Sequence, residues 1–226
     1  MSKILEIACF DLESALIAQA AGTDRIELCV NYSVGGLTPS NELITEARKK
    51  IHIPMHVIIR PRAGDFVYSK NEIEEMKKSI QFCKSQKIDG LVFGCLNLEN
   101  KVDVELCKEL MDEAQSLAVT FHRAIDATEN ILSEIETIQS LGFSRVLTSG
   151  GKENAFEGKE ILGKLEKKFN TQIRILPGGG IRSTNLNEIA GISNCNEFHS
   201  AARLNGAEIC DAGEIQKLKV ILNTHL

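Results

Sequence analysis

The sequence predicts an α/β protein: a (β/α)8 barrel of the TIM type with an unusually polar lumen. Three observations carry this. Eight short runs rich in strand-forming residues recur at intervals of roughly 25–30 residues, the repeat of parallel βαβ units. The segments between them have helical periodicity. No stretch rich in Ser, Gly and Pro divides the 226 residues, so 1–226 reads as one domain, a length that suits a single barrel. An open doubly wound sheet is the competing reading, but it usually has fewer strands, and no GxGxxG follows the first run.

In order, the expected strands are ILEIACF (4–10), RIELCV (25–30), MHVIIRP (55–61), GLVFGCL (90–96), AVTFHRA (118–124), RVLTSG (145–150), IRILPGG (173–179) and EFHSAA (197–202). Among the intervening segments, NEIEEMKKSIQFCK places Ile73, Met76, Ile80 and the Phe82-Cys83 pair near one stripe, as an amphipathic helix requires. Ser69 followed by Glu72 has capping-box spacing at its start. VDVELCKELMDEAQSL and ENILSEIETIQSLG read alike, the second ending at Gly142, a natural C-cap.

Strand side chains alternate between faces. The outside of a barrel strand is covered by helices and must be apolar, and this assigns the faces. Leu5, Ile7 and Cys9 look outward, so Glu6 and Ala8 point in. Ile26, Leu28 and Val30 look outward, so Glu27 and Cys29 point in. The same rule sends His56, Ile58, Arg60, Thr120, His122, Glu197 and His199 inward, with Thr148 offered by the sixth strand and the fourth and seventh left ambiguous. A lumen this polar must pair its charges, shift their pKa values or hold a ligand, because an unpaired buried charge is costly. A purely structural network is the alternative.

VTFHRAID (119–126) poses the question sharply, since it starts as a buried strand and ends in charge. His122 suits a general acid or base with Glu6 or Glu27 as its carboxylate partner. Arg123 belongs to the rim. Asp126 by itself reads as a cap of the next helix. In IIRPRAGDFVYS, Arg60 and Arg62 have the planar fork that suits carboxylate or phosphate oxygens, unless Arg60 only balances Glu27 or Glu6. In LPGGGIRSTN, Gly178, Gly179 and Gly180 expose backbone N–H groups where many barrels bind phosphate; a turn needing positive φ is the plainer reading. LTSGG after the sixth strand is a weaker instance. The expected ligand is a small anionic metabolite held by Arg60, Arg62, Arg123, Thr148, Gly178, Gly179, Gly180, Glu197 and His199.

Composition bounds the alternatives. Net charge is −5 with no long basic run, which argues against nucleic acid. No apolar run approaches a membrane span. The start of the chain is not a signal peptide, and the seven scattered cysteines contain no CxxC pair, so reduced thiols in a cytoplasm are expected. Barrels often associate, which leaves a homo-oligomer among the expectations. Cys29 faces the lumen, but Cu(I) wants at least two soft ligands and a lone buried cysteine is usually a small hydrophobe.

Taken together, DRIELC, GGLTPS, IIRPRAGDFVYS, VTFHRAID, RVLTSGG, PGGGI and EFHSAA resemble the CutC family over about 200 residues in unbroken order. The resemblance implies a (β/α)8 barrel and a cytoplasmic role in copper homeostasis, with Cu(I) as a ligand. The family's two cysteines lie in the first strand and at the end of RIELC. The second is Cys29. Where the family commonly reads Glu-x-Cys, this chain has Ala8, with its cysteine one residue on at Cys9. A one-residue shift turns a strand side chain to the other face, so Cys9 should point to the helices and leave Cys29 alone. The alternatives to copper handling are a barrel enzyme acting on a small anionic or phosphorylated metabolite and a scaffold with a relict pocket.

Overall fold

The structure is a computed structural model that describes residues 3–204 and 206–224; the extreme ends of the expected 1–226 domain lie outside the described residues. Eight strands alternate with eight α-helices: β1 (Ile4–Cys9), α1 (Leu12–Ala20), β2 (Arg25–Leu28), α2 (Asn41–Lys50), β3 (Met55–Ile58), α3 (Lys70–Ser85), β4 (Gly90–Phe93), α4 (Val104–Ala114), β5 (Ala118–Phe121), α5 (Ile131–Ser140), β6 (Arg145–Thr148), α6 (Lys159–Phe169), β7 (Arg174–Pro177), α7 (Leu186–Ser193), β8 (Glu197–Ser200) and α8 (Ala212–Thr224). The sheet is parallel, in the order β7-β6-β5-β4-β3-β2-β1-β8. Its two ends meet through packing and a bond from Ser200 Oγ to the Ile181 carbonyl at 2.7 Å, which makes a nearly closed barrel.

Every strand stops short of its expected end. The ladder breaks where the chain turns to build loops: beyond β3, the Arg60 N–H donates to Thr38 Oγ1 at 2.7 Å and the Arg60 carbonyl accepts from the Thr38 N–H. The C-terminal residues of the expected strands thus form the rim of the barrel.

Local chemistry starts the helices. Asp11, Ser40, Asp103 and Asn130 cap α1, α2, α4 and α5. Ser69 and Glu72 form the expected capping box on α3. α5 ends one residue before Leu141, and Gly142 follows with φ 88°, a left-handed position that suits glycine.

Alternation holds along β1, β2, β3, β5 and β8. Leu5, Ile7, Cys9, Ile26, Leu28, Val57, Val119, Phe121 and Phe198 pack into one large apolar layer between strands and helices. Each large apolar side chain buried there contributes about 1.5–3 kcal/mol. Ala8, Cys29, Ile58 and Val92 form a separate small cluster inside the lumen. β4 resolves the same way: Leu91 and Phe93 join the outer layer, leaving Gly90, Val92 and Gly94 inward. The glycines make room for imidazoles. An ideal Cβ would stand 2.5 Å from His56 Nε2 at Gly90 and 2.7 Å from His122 Nδ1 at Gly94, closer than real atoms approach.

β6 departs from expectation. Val146 lies in the outer layer, so Arg145 and Leu147 face the lumen and Thr148 does not. Thr148 instead donates to Asp126 and accepts from the Gly150 N–H.

Candidate functional site

The lumen is layered by charge. At its N-terminal floor, Arg25 donates to Glu6 and to Glu197 Oε2, the latter at 2.6 Å, and Arg145 Nε reaches the same Glu197 oxygen at 2.9 Å. Burial pushes the Glu6 carboxyl up, yet Arg25, His199 and His56 together hold it well below its ordinary value. Glu6 and Glu197 are therefore spent on the floor network and do not line the cavity above it. This corrects the expected ligand role of Glu197 and the expected partnership of Glu6 with His122.

His199 links floor to cavity. Its Nδ1 lies 2.7 Å from Glu6 Oε1 and its Nε2 lies 3.9 Å from Glu27 Oε2. Burial lowers the His199 pKa, but the bond to Glu6 and the charges of Glu27 and Glu6 raise it above the ordinary value. Burial, assisted by Glu6, pushes Glu27 up to about 7, against the lowering charges of His199 and Arg25. His56 sits beside Glu6 at 3.8 Å and is lowered to about 4, mainly by burial.

Above this floor lies a cavity of about 460 Å³ at the C-terminal mouth, lined by Glu27, His122, His199, Arg60, Arg123 and Arg182 among others. The size is that of a small-molecule site. Arg60 is only 5% exposed, and it bonds to carbonyls, not carboxylates: Val34 at 2.6 Å, Gly36 at 3.2 Å and Gly64 at 2.9 Å. Its guanidinium lies over the Phe66 ring at 4.9 Å, and its Nε is buried with no hydrogen-bond partner. The alternative that Arg60 balances Glu6 or Glu27 is not what the structure adopts. His122 is also buried against Phe66. Its Nδ1 accepts from the Ala124 N–H at 3.3 Å and its Nε2 has no partner. Burial and the neighbouring Arg60 lower it to about 3, so the ring is neutral at pH 7, with neither glutamate to orient it.

Asp126 is no helix cap; Asn130 has that place. Its carboxylate sits in the turn after β6 and accepts from the N–H groups of Ser149 at 3.0 Å and Gly151 at 3.0 Å, from Thr148 Oγ1 at 2.5 Å and from Ser149 Oγ at 3.0 Å. The LTSGG turn is thus an anion cradle already filled from within. Arg123 Nε pairs with the same carboxylate at 2.8 Å while its Nη2 reaches Ser149 Oγ at 3.0 Å. This anchors a guanidinium on the cavity wall.

The glycine turn after β7 is open by contrast. Gly179 and Gly180 line the cavity with φ of 97° and 74°, and their N–H groups donate to no described residue. An ideal Cβ on Gly179 would stand 3.0 Å from Arg123 Nη1. Gly178 lies outside the lining; it gives Leu147 Cδ1 its space, at 2.5 Å from an ideal Cβ. Arg182, not singled out from the sequence, lines the cavity, and among the described residues its guanidinium bonds to the Ile181 and Arg203 carbonyls and Ser200 Oγ and to no carboxylate. Arg62 turns away from the cavity to Glu72 at 2.6 Å and Asp65 at 2.8 Å, so it braces α3 and its loop.

The cysteines do not assemble a metal centre. Cys29 is fully buried in the inner cluster, its thiol 3.3 Å from the Cys9 carbonyl and pushed well above its ordinary pKa by burial. Cys9 lies in the helix-facing layer. Among the described residues no group of three His, Cys, Asp or Glu side chains is placed to hold a metal ion. No helix among them is long and apolar enough to cross a membrane.

The family model described as CutC family matches residues 3–204. A human protein named copper homeostasis protein cutC homolog is 44% identical over 200 residues, covering 88% of this chain and 73% of that one. A Chromobacterium violaceum protein named family protein CutC is 40% identical over 203 residues, covering 90% and 82%. The crystal structure of a CutC protein from Streptococcus agalactiae superposes with a TM-score of 0.84 at 32% identity, covering 88% of this chain and 98% of that one.

Proposed function

The chain belongs to the CutC family, and from that premise we propose that it binds a small anionic, phosphorylated metabolite at the C-terminal mouth of its barrel. One observation carries the reading. Arg60 is a buried cation that lines the cavity, is fixed by three backbone carbonyls and has no carboxylate partner. A buried charge without a counter-ion is costly, and an anionic ligand supplies one. Arg123, Arg182 and the unused N–H groups of Gly179 and Gly180 supply further donors around the same cavity, and the glycine turn stands where barrels commonly hold phosphate.

Copper homeostasis is the role that the relatives' names carry, and Cu(I) is the ligand those names suggest. The donor set argues against it here. Cu(I) needs at least two soft ligands; Cys29 is alone on the lumen face, buried and held as a thiol.

Calorimetry and thermal shift with inorganic phosphate, ribose 5-phosphate and ribose at low salt test the reading. The two anions should bind and raise Tm, and the neutral sugar should not. Arg60→Met should weaken anion binding by about 10- to 100-fold, the worth of a charged hydrogen-bonded contact. Arg182→Ala, which removes no buried bond to a carboxylate, guards against a folding defect at Arg60. Equal stabilisation by ribose, or undiminished binding in both variants, overturns the proposal.

A further inference from the structure

We infer that Glu27 is the proton-transferring residue of this cavity, with His199 as its partner, and that the molecule it acts on is a short phosphorylated carbonyl compound. This rests on the reading of the mouth as an anion site.

Glu27 and His199 come from β2 and β8, the two strands that flank β1, and both line the cavity. The Glu27 carboxyl hydrogen-bonds to no described residue. Its charged and titratable neighbours are His199 from β8, Glu6 from β1, Arg25 from its own strand, His56 in register beside it from β3, and the thiols of Cys29 and Cys9, which Glu27 helps to push up. Arg25 is committed to Glu6 and Glu197, so no arginine pins Glu27. Glu6, held ionised, accepts from His199 Nδ1, which fixes the ring and turns Nε2 toward Glu27. The 3.9 Å between His199 Nε2 and Glu27 Oε2 is too long for a hydrogen bond. A ligand seated between the two atoms sets its carbonyl oxygen against His199 Nε2 and the adjacent C–H against Glu27 Oε2. Burial pushes Glu27 up to about 7, while the bond to Glu6 and the charges of Glu27 and Glu6 raise His199 above its ordinary value against the lowering effect of burial, which suits an acid–base pair.

The step balances without a co-reactant. The Glu27 carboxylate takes the proton from the carbon next to the ligand carbonyl. The electron pair of that C–H bond becomes a C=C bond, and the carbonyl π pair moves to oxygen, which accepts the proton from His199 Nε2. Return of the Glu27 proton to the neighbouring carbon, with re-protonation of His199 from the ligand hydroxyl, completes an isomerisation. The arginine-lined mouth holds the phosphate, and the ligand's carbonyl end reaches down to the floor.

The full chain is incubated in D2O with dihydroxyacetone phosphate, ribulose 5-phosphate or ribose 5-phosphate and followed by proton NMR, with binding of each measured in parallel. At least one should bind and exchange the C–H next to its carbonyl for deuterium. Glu27→Gln should slow exchange at least about 100-fold while inorganic phosphate still binds within about threefold of wild type; His199→Gln should slow it as well. A compound that binds in an Arg60-dependent way yet exchanges no faster than in buffer overturns this inference and leaves the anion site standing. So does undiminished exchange in Glu27→Gln. If no phosphorylated compound binds, the anion site and this inference fall together.

Discussion

Arg25 Nη2 donates to Glu197 Oε2 at 2.6 Å across β1, the strand that separates theirs. That bond makes Arg25 the cation on which two buried carboxylates converge, since it also pairs with Glu6. Replacing it by methionine keeps much of the volume but takes the shared cation from two buried carboxylates, leaving Glu197 to Arg145 and Glu6 to His199. Breaking a buried pair from one side costs about 3–5 kcal/mol, so Arg25→Met should lose about that much in urea unfolding. A loss below about 1 kcal/mol shows that water or Arg145 rescues the floor.

His122 predicts an acid-side weakness. Its folded pKa is lowered to about 3, by burial and by Arg60, against about 6.5 in the unfolded chain. Between those values the unfolded state binds a proton that the folded state refuses. Stability is therefore full above pH 6.5 and falls as pH drops toward 3, by about 1 kcal/mol per pH unit for this group. His56, lowered to about 4, acts in the same direction down to that pH. Glu27 and His199, both raised, act in the opposite one. The difference between wild type and His122→Asn isolates the ring: urea unfolding at pH 4.5, 5.5 and 6.5 should give the variant a slope flatter by about that amount. Parallel slopes rule out a neutral buried His122.

The barrel was legible because its signal is repetitive. Eight runs with outward apolar positions leave little freedom, and the faces of Glu6, Cys9, Glu27, Cys29, Arg60 and His199 follow from alternation alone. Extending the alternation of β2 back by one residue would have found Arg25, and starting β6 from its outward Val146 would have exchanged Thr148 for Arg145 and Leu147. Pairing within the lumen was not legible. Glu6 faces His56, His199 and Arg25 alike, and only three-dimensional register decides that it bonds to Arg25 and His199 and not to His122. The loops were less legible still. LTSGG reads as a weaker instance of the glycine turn in PGGGI, but nothing in it shows that Asp126 fills it from a neighbouring loop. Arg60 and Arg62 look equivalent as forks, yet Glu72 draws one away.

The position of Ala8 gives a direct test of the missing thiolate. Ala8 and Cys29 share the small lumen cluster with Ile58 and Val92, whereas Cys9 packs among the helix-facing side chains. Sequence distance therefore misleads: the cysteine next to Ala8 cannot serve where Ala8 stands. Wild type should compete poorly with a Cu(I) chelator, and Cys29→Ala should change nothing, because one buried thiol is not a site for this ion. Ala8→Cys adds a second soft donor on the face that Cys29 already occupies, and a pair of thiolates suits Cu(I). Its affinity should tighten by more than about tenfold, a gain of about 1.4 kcal/mol or more, and Ala8→Cys with Cys29→Ala should lose that gain. Tight binding by wild type that survives Cys29→Ala would instead mean that copper is held elsewhere in the chain.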